Sequence, residues 1–205
     1  SSYYNTGWWG QQGKLERNKR HKDRVSEIRN FLEKSFAYYN SSTEMDLKME
    51  SMEGVFSGDK NLYLHANYAK DIIDGINTCK EFNIKKIVLV GGEDSEKVIR
   101  EIKENNISVI LNRVHRLPKN EDSKIDEPFK QAKILSDNNI LFSFSYAGDM
   151  EAMGSRNLPF TAGTAVSYGL NYEQAIKALT LNTAKILGID KNLGSIEQGK
   201  EATFF

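Results

Sequence analysis

The sequence predicts an α/β fold with a parallel sheet. Between residues 61 and 188, short apolar runs alternate with segments whose apolar residues recur every three or four positions, a pattern typical of helices packed outside parallel strands. The run KKIVLVGG (85–92) is almost wholly apolar, as expected of a strand buried on both faces. A Rossmann-like sheet and a TIM barrel both fit this order. Gly91 and Gly92 are not a dinucleotide fingerprint, because they lack the G-x-G-x-x-G spacing and precede acidic residues.

The amino-terminal part is predicted to be helical after an irregular start. Residues 1–20 are aromatic and polar with no clear period, so we expect a loop or arm that packs on another surface. Apolar residues at helical spacing predict an amphipathic helix over about 22–40. A second helix is expected to begin near Thr43, with Asp46 three residues later close to a capping position.

Four strands and the helices that follow them make up the rest. The predicted strands span 61–67, 85–92, 107–112 and 140–149, and the predicted helices span 68–82, 94–105 and 128–138. The segment TAGTAVSYGL (161–170) is rich in small residues and is expected to be a loop. One last helix is expected to begin at Asn171, with Gln174 completing a capping box, and to end at Gly188. Residues 201–205 are expected to begin a further strand.

Composition excludes several classes of partner. Hydrophobic residues make up 39% and charged residues 27% of the chain, an ordinary soluble balance. Basic and acidic residues number 28 each, so there is no electrostatic case for binding nucleic acid or an anionic membrane. No run approaches the roughly 20 apolar residues of a membrane span. Cys79 is the only cysteine and is expected to be a buried, inert thiol. We expect a soluble protein, and both the cytoplasm and the periplasm remain open.

Two histidines follow predicted strands and are candidate site residues. His65 lies at the carboxyl end of a strand, in LHAN, where parallel α/β folds place their active sites. The alternative is a histidine held by its neighbours in a barrel core. His115 follows the third strand, whereas His21 lies in a mixed-charge helix and is expected to face solvent. No HxH, HExxH or paired-cysteine motif occurs, so this chain alone predicts no metal site of conventional spacing.

Two charged residues follow the fourth strand. Asp149 could ligate a metal or act as a base, or it could cap the next turn. Arg156 could hold an anionic substrate group bidentately, or it could pin its loop through hydrogen bonds to carbonyls. No serine stands in a nucleophile-elbow context, which argues against a Ser-His-Asp hydrolase.

Five segments carry a family resemblance. LHAN, VLVGG, RNLPFTAGTAVSYGL, ALTLNTAKILGI and LGSIEQGKEATFF occur in that order, and together they resemble the carboxyl-terminal half of an amidohydrolase-superfamily protein of the imidazolonepropionase-like branch. The resemblance is strong over about 60–205 and weaker over 22–58. It implies strands five to eight of a (β/α)8 barrel with a helical lead-in. The implied divisions are 1–58 for the lead-in, 59–190 for the half-barrel and 191–205 for the start of a small β-domain.

The resemblance also implies roles for particular residues. His65 matches the strand-five histidine, which ligates zinc or another divalent metal in that family. Glycines 91 and 92 stand where the strand-six histidine is expected. Asp149 is the candidate for the catalytic aspartate of strand eight, although it lies two or three residues late. Asn67, His115 and Arg156 are the candidate substrate-binding residues.

The implied activity is hydrolysis of non-peptide C–N bonds in small cyclic or linear amides by a metal-activated water. The alternative is a catalytically degenerate barrel that serves as a binding or assembly module. Four parallel strands cannot close a barrel, so the other strands are expected from an amino-terminal half, from another chain or from a second copy of this one. In the last case the chain would self-associate through its sheet, without forming an active site.

Overall fold

The computed structural model describes residues 3–5, 15–41, 45–112, 114–118, 123–146 and 151–203. It begins with a short antiparallel pair, in which β1 (Tyr3–Asn5) lies beside β2 (Leu15–Arg17). The sequence predicts no regular structure over 1–20, and this is wrong for these two three-residue strands. The two strands have three residues each and lie ten residues apart, so their pairing produces no hydrophobic period in the sequence.

Three helices follow the antiparallel pair. They are α1 (His21–Ser41), α2 (Leu47–Glu50) and α3 (Glu53–Ser57). The Asp46 side chain caps α2 by accepting hydrogen bonds from the backbone nitrogens of Lys48, at 2.9 Å, and Met49, at 3.3 Å. The long helix predicted over 22–40 is confirmed, and the second helix begins a few residues later than predicted.

A parallel sheet of four strands forms the centre of the molecule. The strands are β3 (Leu62–Ala66), β4 (Ile87–Gly91), β5 (Ser108–Leu111) and β6 (Phe142–Phe144). They lie side by side in chain order, and every neighbouring pair is parallel. All four predicted strands and the predicted α/β class are therefore confirmed.

The helices between the strands end in one repeated way. They are α4 (Ala69–Glu81), a 3₁₀ turn (Ser95–Val98) running into α5 (Ile99–Glu104), and α6 (Glu127–Asp137). An asparagine with positive φ follows α4, α5 and α6: Asn83, Asn106 and Asn139. In each case the next residue is an isoleucine, whose backbone nitrogen bonds a carbonyl five residues earlier at 2.9–3.0 Å. This Schellman-type ending turns the chain back into the sheet.

The carboxyl-terminal part is more helical than the sequence predicts. It contains α7 (Glu151–Gly154), a 3₁₀ turn (Ser155–Asn157), α8 (Leu158–Ser167), α9 (Tyr172–Leu179) and α10 (Leu181–Leu187). The predicted loop over 161–170 is wrong for most of its length, because α8 covers it to Ser167. Alanine is the strongest helix former, and α8 buries Ala162 and Ala165 where larger side chains would not fit.

The last helix is interrupted. Asn171 caps α9 by accepting from the backbone nitrogens of Glu173 and Gln174, and Gly188 ends α10 with φ of 74°, as predicted. Between them, Thr180 leaves the helical region and donates its hydroxyl to the Ile176 carbonyl at 2.8 Å. Back-bonding of this kind bends helices.

The predicted final strand is wrong over its described residues, 201–203, which are irregular. The Glu201 nitrogen donates to the Asn192 carbonyl at 2.9 Å, which closes a loop instead of a sheet ladder.

The core lies between the sheet and the helices on one of its faces. Its fully buried side chains come from α4, the 3₁₀ turn, α5, α6 and the strands: Ile72, Ile76, Leu89, Val98, Ile102, Val109, Leu111, Leu135 and Phe142. The face is identified by Leu64, whose methyl groups pack so closely on α4 that a β-carbon at Gly75 would meet them at 2.6 Å. Side chains alternate along a strand, so His65 lies on the opposite face. Among the described residues, no helix combines the length and apolar composition needed to cross a membrane.

The two edges of the sheet differ. The Leu141 carbonyl accepts from the Val109 nitrogen and so points toward β5, which turns the next carbonyl, that of Phe142, toward the outer edge of β6. There the buried side chain of Asn182 in α10 donates to it at 3.1 Å. At the opposite edge, within the described chain, β3 pairs only with β4. The β6 edge is thus capped by a helix, and the β3 edge borders a groove.

Candidate functional site

His65 occupies the concave face of the sheet near its carboxyl edge. The parallel register aligns it with Val90, Ile110 and Ser143 on the three following strands. Its side chain is exposed, and no described residue forms a hydrogen bond with it. An exposed imidazole without a competing hydrogen bond can serve as a metal ligand or a general base. The described residues do not enclose the His65 side chain, and the alternative of a histidine held in a completed barrel core stays open.

His65 also borders the groove along the β3 edge. The groove has a volume of about 790 Å³ and runs between α1 and the β3–α4 unit. Its walls include apolar residues of α1, namely Val25 and Ile28, which are 45% and 59% exposed. His21 lies at this groove and is half-buried, so the expectation that it faces solvent is only partly met.

The described residues do not assemble a metal centre by themselves. Within them, no group of three or more histidine, cysteine, aspartate or glutamate side chains is placed to hold an ion. The residues aligned with His65 are two aliphatic side chains and a serine, which are poor ligands for zinc. Asp149, the predicted catalytic residue, lies outside the described residues. His65 could therefore be one ligand of a metal, and no reaction step can be built on these residues alone.

Asn67 fills the position above Gly91. A β-carbon at residue 91 would overlap the Asn67 side-chain oxygen, and it would also lie 3.2 Å from the Ala66 carbonyl. Gly91 has φ of 101°, a backbone conformation that residues with a side chain rarely adopt. The half-buried Asn67 amide thus lies at the carboxyl ends of β3 and β4, two residues after His65 and in contact distance of Gly91.

A polar network fixes the loops at the carboxyl ends of β3 and β4, which are called the rim from here on. Buried Gln131 of α6 donates to the carbonyl of Gly92, to the Glu93 carbonyl at 3.2 Å and to the Ser95 hydroxyl at 2.9 Å. Asp94 accepts from the Ala69 nitrogen at 3.0 Å at the start of α4. These bonds fix the loop after β4 to the helices on both of its sides.

Charges link the same loop to the segment after β5. Arg116 lies 3.9 Å from Glu93, and both side chains are largely buried. Burial, and after it the negative charge of Glu127, raises the pKa of Glu96 above its usual range. The Asp94 carboxylate, which hydrogen-bonds Lys97 at 3.1 Å, raises the pKa of that ammonium group. The rim therefore combines fixed loops with paired charges.

A second, smaller cavity lies beyond the carboxyl ends of β5 and β6. It has a volume of about 300 Å³ and is lined by His115, Tyr146, Asn157, Phe160 and Thr161. Two aromatic rings and four polar side-chain groups around such a volume match the composition of small-molecule sites. None of these residues lines the groove beside His65.

His115 is oriented by α8 and α6. Its Nε2 atom lies 2.7 Å from the Thr164 hydroxyl oxygen. Its ring meets that of Phe129 edge to face, with centroids 6.1 Å apart, and Phe129 in turn packs on Tyr168 at 5.0 Å.

The structure brings together only some of the predicted site residues. His65 lies on β3 and Asn67 follows directly after the end of that strand, whereas His115 lies in the smaller cavity. Arg156 is exposed in the 3₁₀ turn before α8, outside the cavity, although its neighbour Asn157 lines it. Sequence reasoning missed the contributions of Tyr146, Phe160, Thr161 and Thr164. The last three stand at helical spacing, but the small residues around them predict a loop.

Comparison with known proteins gives this arrangement a family. Residues 33–205 match the Amidohydrolase family. The chain is 30% identical over 168 residues to the imidazolonepropionase of Picrophilus torridus, covering 81% of this chain and 39% of that protein. A shorter stretch of 37 residues is 54% identical to the imidazolonepropionase of Shewanella baltica strain OS185, covering 18% of this chain and 9% of that protein. The chain spans about two fifths of the length of the first of these relatives.

Solved structures show the same relationship. The crystal structure of an amidohydrolase from Thermotoga maritima MSB8 matches with a TM-score of 0.75 and 28% identity, over 87% of this chain and 48% of that one. The structure of a protein described as uncharacterized matches with a TM-score of 0.52 and 15% identity, over 79% of this chain and 42% of that one, and shows the fold alone. The parallel sheet described above is part of a TIM-like barrel, and members of the matched family are typically metal-dependent. The chain belongs to the amidohydrolase family.

Proposed function

We propose that the protein carrying this chain hydrolyses carbon–nitrogen bonds other than peptide bonds in small cyclic or linear amides. The observation that carries this proposal is the position of His65. It presents an exposed imidazole on the concave face, at the carboxyl end of a parallel strand. That edge is where barrel enzymes assemble their catalytic groups.

His65 is proposed as one ligand of a divalent metal, zinc being the first candidate. A bound metal of this kind would polarise an amide carbonyl and acidify a coordinated water. The remaining ligands would come from outside the described residues, with Asp149 as the proposed catalytic carboxylate. Asn67, two residues after His65, would offer its amide to substrate from its place above Gly91.

The smaller cavity is proposed as the substrate subsite. Its aromatic walls, Tyr146 and Phe160, suit a flat ring, and His115 and Asn157 supply polar contacts. The relatives named imidazolonepropionase carry in that name a cyclic imidazolone, a ring that contains amide bonds. A small cyclic amide is therefore the first substrate class to test. Arg156, which lies outside this cavity, would contact substrate only through an extended group.

The groove beside β3 is proposed to receive the rest of the barrel. An unpaired strand edge flanked by exposed Val25 and Ile28 offers backbone hydrogen bonds and apolar cover to another strand. That strand would belong to an amino-terminal half, to another chain or to a second copy. No role in nucleic-acid binding is proposed, because the net charge is zero.

Metal analysis of the protein that carries this chain tests the proposed function. We expect about one bound divalent ion per chain in the wild type, and loss of that ion together with amide hydrolysis in His65→Ala. His21→Gln is the matched control, since His21 borders the same groove from α1, and it should keep the metal. A metal-free wild-type protein, or His65→Ala with full metal content, would overturn the proposal.

One observation favours a second candidate function. A β-carbon at residue 91 would overlap the Asn67 side-chain oxygen, which supports a glycine at this position in place of the strand-six histidine that the resemblance implies. A barrel that has lost this ligand could serve as a scaffold for binding or assembly. The same metal analysis separates the two candidates, because a scaffold protein would bind no stoichiometric metal and would hydrolyse no amide.

A further inference from the structure

The hydroxyl of Thr164 takes part in two hydrogen bonds. Its oxygen lies 3.1 Å from the Phe160 carbonyl, one turn earlier in α8, and 2.7 Å from Nε2 of His115. A carbonyl oxygen can only accept a hydrogen bond, so the single hydroxyl proton of Thr164 is donated to Phe160. With the hydroxyl proton on the Phe160 carbonyl, the hydrogen bond to His115 runs from Nε2–H to the Thr164 oxygen.

This pattern determines where the proton of the neutral imidazole resides. Because the Thr164 oxygen acts as acceptor toward the ring, Nε2 of His115 carries the hydrogen. In a neutral histidine the other nitrogen, Nδ1, is then an acceptor with a free lone pair. Among the described residues none forms a hydrogen bond with Nδ1, and the two ring nitrogens lie on different sides of the imidazole. His115 therefore offers an acceptor to a molecule in the cavity that it lines.

The surrounding structure holds both Thr164 and His115 in place. Thr164 lies on α8, which is anchored by buried Ala162 and Ala165 on the next face of the helix. The His115 ring is supported from another side by the edge-to-face contact with Phe129. A ring held at one nitrogen and along one edge has little freedom to rotate and exchange its donor for its acceptor.

We propose that Thr164 is a positioning residue that fixes His115 in the Nε2–H form, so that the cavity selects ligands presenting an N–H group to Nδ1. This inference rests on the proposed function, and it narrows the substrate class to amides with an unsubstituted N–H, such as the ring N–H of a lactam or imide. An N-alkylated amide of the same shape would leave Nδ1 without a partner. Loss of such a hydrogen bond costs about five- to tenfold in affinity.

The protonation pattern can be read directly by long-range ¹H–¹⁵N correlation of the histidine rings, at a pH where they are neutral. The protein that carries this chain is used, and the His115 signals are assigned by their loss in His115→Gln. We expect the Nε2–H pattern in the wild type. Thr164→Val, which keeps the shape but removes the hydroxyl, should give a mixture of both forms, and Thr164→Ser should restore the wild-type pattern.

Ser167→Ala is the matched control. Ser167 also donates its hydroxyl to a carbonyl one turn earlier in α8, that of Gly163 at 3.2 Å, but it is exposed and does not line the cavity. Its removal should leave the His115 pattern unchanged. A wild-type ring protonated at Nδ1, or an unchanged ring in Thr164→Val, would overturn the proposal.

Ligand selection is tested with succinimide and N-methylsuccinimide, which differ at the single N–H. We expect the wild type to bind succinimide about fivefold more tightly than N-methylsuccinimide, Thr164→Val to lower that ratio, and Thr164→Ser to restore it. Equal affinities in the wild type would refute the selection of N–H ligands. Neither measurement needs turnover, so both should be unaffected in His65→Ala. Failure of hydrolysis would therefore count against the proposed function without affecting this inference.

Discussion

The ring of Tyr146 lies against the α-carbon of Gly154, so closely that a β-carbon at residue 154 would overlap it. Gly154 is buried at the end of α7, and Tyr146 forms one wall of the smaller cavity. Because glycine has no side chain, the Tyr146 ring can lie against residue 154 and form a wall of the proposed substrate subsite.

Gly154→Ala is therefore expected to push Tyr146 out of position. We expect a loss of about 1–3 kcal/mol in the free energy of unfolding, as for other overpacked sites, and weaker binding of succinimide. Gly163→Ala is the control, because a β-carbon at that helical position in α8 meets no atom within 4 Å. That variant should gain up to about 1 kcal/mol, since alanine is the better helix former. Urea unfolding of both variants measures the difference, and changes of the same sign would contradict it.

The contact between Asn67 and Gly91 predicts an energetic coupling. Gly91→Ala combines an unfavourable φ with overlap on the Asn67 amide, and we expect it to cost about 2–3 kcal/mol. In an Asn67→Ala background the overlap disappears, so the same substitution should cost about 1 kcal/mol less. Gly58 has φ of 85° and open space around it, so Gly58→Ala measures the cost of the backbone conformation without any overlap. A double-mutant cycle by chemical denaturation measures the coupling, and simple additivity would rule it out.

Asn182 is expected to be a major contributor to stability. Its buried amide donates to the Phe142 carbonyl, which has no neighbouring strand on that side in the described chain. Asn182→Ala leaves this carbonyl buried without a donor and should lower the free energy of unfolding by about 1–3 kcal/mol. Asn40→Ala removes an equivalent bond, to the Phe36 carbonyl at 2.8 Å, on the exposed face of α1. That change should stay within about 0.5 kcal/mol. Equal losses of stability in the two variants would show that burial of the carbonyl does not determine how much the lost hydrogen bond destabilises the protein.

Cys79 gives a prediction about pH. Burial raises the pKa of its thiol from 9.0 to about 11. The folded state therefore holds the proton more tightly than the unfolded state, so the stabilisation is complete below pH 9 and is lost as pH rises to about 11. The full effect is about 3 kcal/mol.

The measurement compares the wild type with Cys79→Ala by denaturant unfolding from pH 8 to pH 11. The difference in the free energy of unfolding between the two proteins should shrink over that interval, because only the wild type has the thiol to ionise. A difference that stays constant across the interval would contradict the prediction.

Local chemistry was the part of the fold that could be predicted. The side chain of Asn171 and the left-handed backbone of Gly188 depend on a few adjacent residues, so both ends of the last helical region follow from the sequence. The three asparagine–isoleucine pairs that end α4, α5 and α6 are an equally local signal of where a helix ends. The break at Thr180 could not be foreseen, because a threonine inside a helix usually leaves it intact.

Tertiary packing was the part that could not be predicted. In α8 the buried positions include Thr161, Ala162 and Ala165, which are small and give no clear amphipathic period, so the segment looks like a loop until its neighbours are known. The smaller cavity shows the same limit. His115 and Thr164 are 49 positions apart, and nothing in either local sequence indicates that they form a hydrogen bond.

The difference between the two sheet edges bears on aggregation. Growth of a fibre by edge-to-edge stacking needs every copy to offer two open edges, one to the copy before it and one to the copy after it. Here α10 occupies the β6 edge through Asn182, and only the β3 edge borders a groove. Within the described residues, two copies joined at their β3 edges would leave no open edge of the four-stranded sheet for a third copy. Pairing through this sheet would therefore stop at a pair, and the buried amide of Asn182 would protect against its polymerisation.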